Sequence, residues 1–311
     1  MMYRLRQKMH RGWFRLRTRK IDATPPLPCD PAAPCELHTM LSARDVPLYL
    51  PAVKSLLRFC RRIAVVVHSD GSLGGQDVEK LRRHVPGLRV VLPAEADDRA
   101  RQVLGADSYL FGWRGHDASW RRVLDTELWC DTPKRIIMDA DVIVPRRPDE
   151  ILAWVEGGSG AFLFGQPPAV DPLTLPANGP KLVQTVYRER LPGLAKRLGL
   201  PADFPQGATS GFYGCGRQEL TLGRIEQALR AGEAEGVPMM EWGSEQCTVI
   251  YLLAASGARR LGPRHYVNYD PDCLPLMGGV HAAHFYGTYR YHRHLYTRLA
   301  AGVVSELLAA G

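Results

Sequence analysis

Asp139 and Asp141 stand in Lys134-Arg-Ile-Ile-Met-Asp-Ala-Asp-Val-Ile-Val-Pro145, between the apolar runs 136–138 and 142–144. The two runs are too short for a helix and together read as one buried strand, closed by Pro145. Residues two apart in a strand point to the same side, so the carboxylates are expected to converge. Like charges pressed together in an apolar setting are costly unless a cation lies between them. Hard oxygen donors suit Mg²⁺ or Mn²⁺, which keep positions open for the phosphate oxygens of a substrate. A strand end whose aspartates cap the next turn is the plainer alternative.

Cationic side chains lie just upstream. The segment from Trp120 to Trp129 reads as a helix leading into the aspartate strand, and it carries Arg121 and Arg122. A guanidinium meets phosphate oxygens with paired hydrogen bonds, so one of the two, assigned to Arg122, is a candidate for a diphosphate. A solvated basic helix face is the competing reading.

Ile-Ile-Met-Asp139-Ala-Asp141-Val-Ile-Val resembles the Asp-x-Asp strand of glycosyltransferases with the GT-A fold, which bind a nucleotide-sugar through a divalent metal. His284-Phe-Tyr-Gly287-Thr-Tyr-Arg290 is similar to the His-x-x-Gly-x-x-Lys element near the C-terminus of family 8-like members. The resemblance covers about residues 36–290. It implies that His284 completes a metal site with Asp139 and Asp141, with Gly287 and Arg290 at the diphosphate. Arginine stands where lysine is usual, which keeps the charge and changes the reach. His281 is the competing imidazole and reads as structural. By the same resemblance Ser42 and Asp70, at strand ends, contact the nucleoside. Asp70 can accept from a uracil imide N–H, which favours a UDP-sugar, although Ser-Asp-Gly is also a plain turn.

The implied reaction develops negative charge on a leaving diphosphate, and the metal and Arg290 would neutralise it. An inverting enzyme also needs a carboxylate for the acceptor's proton. Glu245 and Glu241 are the candidates, in a segment where Ser244 reads as a helix cap; first-turn acids are the alternative role. Trp242 beside them could stack on a sugar ring. Two other classes stay open: a sugar nucleotidyltransferase, and a non-catalytic nucleotide-sugar or carbohydrate binder. The first needs a glycine-rich opening loop, and residues 37–45 contain no glycine; the second has no need of paired aspartates.

The elements that must position these residues follow a strand–helix rhythm from Cys35 onward. That rhythm predicts an α/β, Rossmann-like fold: a mostly parallel central sheet with helices on both faces, and a smaller mixed acceptor half. Ligands in such sheets sit at the carboxyl ends of the strands. The expected division is a basic amphipathic arm at 1–20, a Pro-rich linker at 21–34, a nucleotide-sugar half at 35–165, an acceptor half at 166–290 and a C-terminal helix at 291–311. Residues 166–180 read as an excursion loop, Leu110 to Gly115 as a loop at the rim of the site, and 181–198 as a helix split by Pro192.

The net charge of +8 belongs to one segment: residues 1–20 hold six arginines, two lysines and no acid. The remaining 32 basic residues are balanced by 32 acidic ones, so a nucleic-acid-binding body is not expected. Leu5, Met9, Trp13 and Leu16 recur at helical spacing in the same arm, a pattern suited to an anionic membrane surface, against the alternative of a solvated arm. Seven scattered cysteines without a Cys-x-x-Cys pair fit a reducing compartment, and no apolar run is long enough to span a bilayer. The expected location is therefore cytoplasmic, with the arm at the inner membrane face. The expected partners are a nucleotide-diphospho-sugar and a carbohydrate, lipid-linked or other small acceptor.

Overall fold

The computed structural model describes residues 2–164, 183–205 and 207–311. The expected excursion loop at 166–180 and the half-boundary at 165/166 lie outside the described residues. Seven strands form the central sheet: β1 (Cys35–Leu41), β2 (Ala64–Ser69), β3 (Arg89–Val91), β4 (Lys134–Met138), β6 (Phe162–Leu163), β7 (Phe212–Gly216) and β8 (Arg259–Arg260). A second sheet of three short strands contains β5 (Val142–Ile143), β9 (Tyr266–Asn268) and β10 (Ala282–His284).

The central order is β3-β2-β1-β4-β7-β6-β8. β1, β2, β3 and β4 are mutually parallel neighbours, and β7 runs antiparallel to both β4 and β6. The valine run of β2 is buried along its whole length, as a central parallel strand requires. Alternate residues enter different cores: Leu37, Val65, Ile136 and Met138 face one side, while Val66, Ile137 and Tyr213 face the other.

The first face carries α1 (Met2–Thr18), α2 (Val46–Leu57), α3 (Gly75–His84), α7 (Asp149–Gly157) and α11 (Leu295–Ala309). The opposite face carries α4 (Pro93–Leu104), α5 (Tyr109–His116), α6 (Ala118–Leu128), α8 (Val183–Leu198), α9 (Leu222–Ala234) and α10 (Ser244–Ala255). None of these helices is long and apolar enough to cross a membrane.

Several local expectations change. Residues 134–144 are not one strand: β4 ends at Met138, the chain turns through Asp139-Ala-Asp141, and β5 belongs to the second sheet. The turn is closed by the Val142 N–H donating to Asp139 O at 3.1 Å. The expected loop at 110–115 is helix α5, because Ser108 caps the Phe111 N–H and Leu110, Trp113 and Arg114 are buried. Helix α8 runs unbroken through Pro192, whose ring lies on the exposed side.

Residues 21–34 are not a free spacer. Ile21, Leu27, Cys29 and Ala33 are buried, and backbone N–H groups of Leu27 and Cys29 donate to His84 O and Pro86 O, each at 3.0 Å. The buried ammonium of Lys54 donates to Thr24 Oγ1 (2.6 Å) and Pro25 O (2.7 Å), fixing the segment to α2. Helix α1 likewise packs on the body, through the buried Phe14 stacked on Tyr296 of α11 with 5.5 Å between ring centroids.

Candidate active site where the two sheets meet

The carboxyl end of β4 opens into a cavity of about 560 Å³. The ladder of β4 with β7 continues one step past Met138, with the Asp139 N–H donating to Gly211 O at 2.8 Å. The second sheet then delivers the rest: His284 pairs with Val142 on one side and with Asn268 on the other. The Phe285 N–H donates to Asp141 O at 3.1 Å and locks that sheet to the aspartate turn. Chain segments about 145 residues apart thus meet through backbone hydrogen bonds.

Each aspartate divides its two oxygens between different partners. Arg122 Nη1 donates to Asp139 Oδ1 at 2.5 Å, and Arg290 Nε donates to Asp141 Oδ2 at 3.1 Å, with its Nη2 on the same oxygen. The remaining oxygens turn inward: Asp139 Oδ2 lies 3.7 Å and Asp141 Oδ1 3.3 Å from His284 Nε2. His284 Nδ1 lies 2.9 Å from Asn268 Oδ1 and 3.2 Å from Thr209 Oγ1. With the proton on Nδ1 donated to Asn268, Nε2 points a bare lone pair at two carboxylate oxygens. In that tautomer a cation among the three donors relieves the repulsion; with the proton on Nε2 the ring donates to Asp141 instead.

The donor set fits a divalent ion of the Mg²⁺ or Mn²⁺ kind. Two carboxylate oxygens and one imidazole nitrogen can all reach one position, and neighbouring donors around such an ion, bonded at roughly 2.1 Å, stand about 3 Å apart. Burial alone would raise the Asp141 carboxyl, but Arg290 foremost, and His284 when its ring carries a proton on Nε2, hold it well below the usual carboxylate range. Burial opposes the charge on Arg122 and Arg290, and the aspartates keep both guanidinium groups firmly protonated.

Glu245 is the third carboxylate lining the cavity among the described residues. It is buried at the start of α10, accepts from the Gly243 N–H at 3.1 Å, and lies 3.9 Å from Arg122 Nη2. Burial pushes its carboxyl above the ordinary glutamate value, with Arg122 pulling the other way. Gly243, with φ of +94°, supplies the left-handed turn that starts the helix. Ser244 is the first helical residue, not the cap; its hydroxyl donates to Met239 O at 2.6 Å.

Of the other residues singled out in the sequence, Gly287 lines the cavity and Trp242 stands exposed at its edge. Ser42, Asp70 and Glu241 do not line it. Ser42 Oγ donates to Asp45 Oδ2 at 2.8 Å, and Asp70 Oδ1 accepts from the Ser72 N–H and hydroxyl at 2.9 and 2.6 Å, the plain turn role. Glu241 is exposed. Arg122 lines the cavity and Arg121 does not, and His281 stacks on His265. The cavity also recruits residues that sequence reasoning missed, among them Thr209 and Asn268, together with Gln184 and Arg188 of α8. None of these stands in a recognisable motif; only the pairing of β9 with β10 brings Asn268 to His284.

A second group, Glu36, His38 and Cys130, also has donors close together. It is closed by its own hydrogen bonds: His38 lies 2.9 Å from both Glu36 Oε2 and His68 Nε2, Glu36 accepts from the Asp131 N–H, and Cys130 Sγ donates to Thr132 O. It lies off the cavity and needs no ion.

No protein-family model matches the sequence, and no curated protein matches it. Solved structures do match the fold. One is the WbbM bifunctional glycosyltransferase in its apo structure, with a TM-score of 0.50 and 14% identity. Another is the apo-form glycosyltransferase GlyE from Streptococcus pneumoniae TIGR4, with a TM-score of 0.51 and 12% identity. The chain is covered over 82% and 88% of its length, and spans 46% of the WbbM chain and 63% of the GlyE chain. At these identities the likeness is one of fold: the α/β GT-A arrangement expected from the sequence.

Proposed function

We propose that this chain is a metal-dependent glycosyltransferase that moves a sugar from a nucleotide-diphosphate donor, a UDP-sugar in the first instance, to a carbohydrate or lipid-linked acceptor. One observation carries the reading: Asp139 and Asp141 each give one oxygen to an arginine and turn the other toward His284 Nε2. Asp139, Asp141 and an ionised Glu245 outnumber Arg122 and Arg290 by one charge, so a divalent ion would leave these groups with an excess of positive charge. That excess suits a diphosphate.

A divalent ion held by Asp139, Asp141 and His284 would supply Lewis-acid neutralisation of the charge that develops on the departing diphosphate. Arg290 and Arg122 border the same cavity and carry fixed positive charge toward the phosphate oxygens. In the transfer the bond from the sugar's anomeric carbon to the diphosphate oxygen breaks, and a bond to the acceptor oxygen forms. In an inverting transfer the acceptor's hydroxyl proton passes to Glu245, whose raised basicity and cavity position suit a base. Trp242, 73% exposed beside it, offers a flat apolar face for an acceptor ring.

Thermal-shift and calorimetric titrations with UDP, with and without Mn²⁺, test the reading. UDP should stabilise the native chain far more with Mn²⁺ than without it. Asp139→Asn and Asp141→Asn should each lose the Mn²⁺-dependent part, with circular dichroism showing the fold intact. Unchanged metal-dependent affinity in both variants would remove the site assignment.

A further inference from the structure

We propose that helix α1 is an interfacial helix that seats the protein on an anionic lipid bilayer and holds the mouth of the cavity beside that surface. The helix has two faces with opposite duties. Phe14, 2% exposed, turns inward onto Tyr296, and Thr18 is buried beside it. Met9 and Leu16 turn outward, 68% and 51% exposed, and Trp13 is 43% exposed between them, with one edge of its ring 6.2 Å from the His294 ring centre. At 3.6 residues per turn these three fall within about 60° of one another, a continuous apolar stripe. Lys8 and Arg15 flank the stripe on one side and Arg17 on the other, with the Arg17 guanidinium 5.7 Å from the Trp13 ring centre.

Charge decides what covers this stripe. The eight basic residues of 1–20 have no acid among them, and the body is formally neutral. A second copy would bring the same positive arm and be repelled. A nucleic acid would use the charge and leave the apolar stripe in water. A bilayer with acidic headgroups satisfies both features, with Trp13 at the headgroup level.

The seat is rigid and close to the cavity. Arg11 Nε donates to Tyr291 Oη at 3.3 Å, and His10 stacks on the Tyr291 ring at 5.1 Å. Tyr291 directly follows Arg290, the partner of Asp141. Arg44 borders both α1 and the cavity. Through Arg44 and Tyr291 the helix that carries the seat adjoins the rim of the site, which suits an acceptor anchored in the bilayer, a glycolipid headgroup; that last step rests on the sugar-transfer reading, whereas the seat does not.

Co-sedimentation of the full-length protein with vesicles tests the seat. It should pellet with phosphatidylserine–phosphatidylcholine vesicles and stay in solution with phosphatidylcholine alone. Replacing the outward residues together (Met9→Ser, Trp13→Ser, Leu16→Ser), which spares Phe14, should lower partitioning at least about ten-fold. Arg15→Gln with Arg17→Gln should lower it by about five-fold per charge removed. Equal partitioning of the serine variant and the native chain would overturn the proposal, as would equal binding to both kinds of vesicle. Self-association that the serine variant abolishes without vesicles present would replace the bilayer with a second copy. Stabilisation by UDP with Mn²⁺, read on the same samples, tests the sugar-transfer reading separately.

Discussion

The side chain that most needs the folded environment is Glu245. Exposed at a helix start it would be an ordinary first-turn acid; buried beside Arg122 it keeps a raised affinity for its proton. As a base it works ionised, so kcat/KM should fall as pH drops, with the limb displaced above the ordinary glutamate value of 4.5. Glu245→Gln should lower turnover by roughly a hundred-fold or more, lose that limb, and keep Mn²⁺-dependent UDP binding, since Arg122 retains Asp139. Normal turnover in this variant would clear Glu245 of the role. Arg122 was readable as one of two candidate arginines, yet only the packing of α6 shows which of them enters the cavity. At Asp70 the local pattern is enough: Ser-Asp-Gly forms the turn its composition predicts, with Oδ1 accepting from Ser72.

The site depends on how closely β7 and β10 can approach, and Gly211 sets that distance. A side chain there would collide with the His284 ring, although the Gly211 backbone is not in a left-handed conformation. Gly211→Ala should therefore displace His284 without straining its own residue. The expected cost is about 1–3 kcal/mol in denaturant unfolding, together with loss of Mn²⁺-dependent stabilisation by UDP. If metal-dependent binding survived intact, His284 would not belong to the ion's donor set. The small residues at 211 and 214 are plain in the sequence, but nothing there says what comes close to them. Sequence pattern reports periodicity within one element, and the contact of Gly211 with His284 joins the turn before β7 to a strand of the second sheet.

All seven cysteines are buried thiols, which ties the stability of the whole molecule to pH. Burial pushes Cys60 and Cys273 up to about 11 and Cys215 up to about 12, from an ordinary value of 9.0. These groups bind protons more tightly folded than unfolded, so their contribution is complete below about pH 9 and is lost as pH climbs toward the folded values. One pH unit above the unfolded value, each such thiol costs about 1.4 kcal/mol of stability. Lys54, lowered by burial to about 8, acts in the opposite direction over the range above pH 8, but it is one group against several. Urea unfolding under reducing conditions should show stability falling between about pH 8.5 and 10. A flat or rising profile would contradict it.

The sequence by itself determined the sheet and the character of the chemistry. Runs such as Ala64-Val-Val-Val have one low-energy destination, a buried strand, and Asp-Ala-Asp breaking an apolar run marks where hard donors gather. It also determined that the positive charge resides in one arm. Tertiary structure decided the rest. It split residues 134–144 between two sheets, so the aspartates converge through a turn and not through strand alternation. It turned the Pro-rich segment at 21–34 into part of the body, because its carbonyls and N–H groups find partners on α2 and beside α3. It also set the cavity's boundary, admitting Asn268 and Thr209 and leaving out Ser42 and Glu241. The physical reason is range. Local pattern fixes which face of an element is apolar, whereas a site is made of polar groups whose partners lie far away along the chain, and only packing selects them.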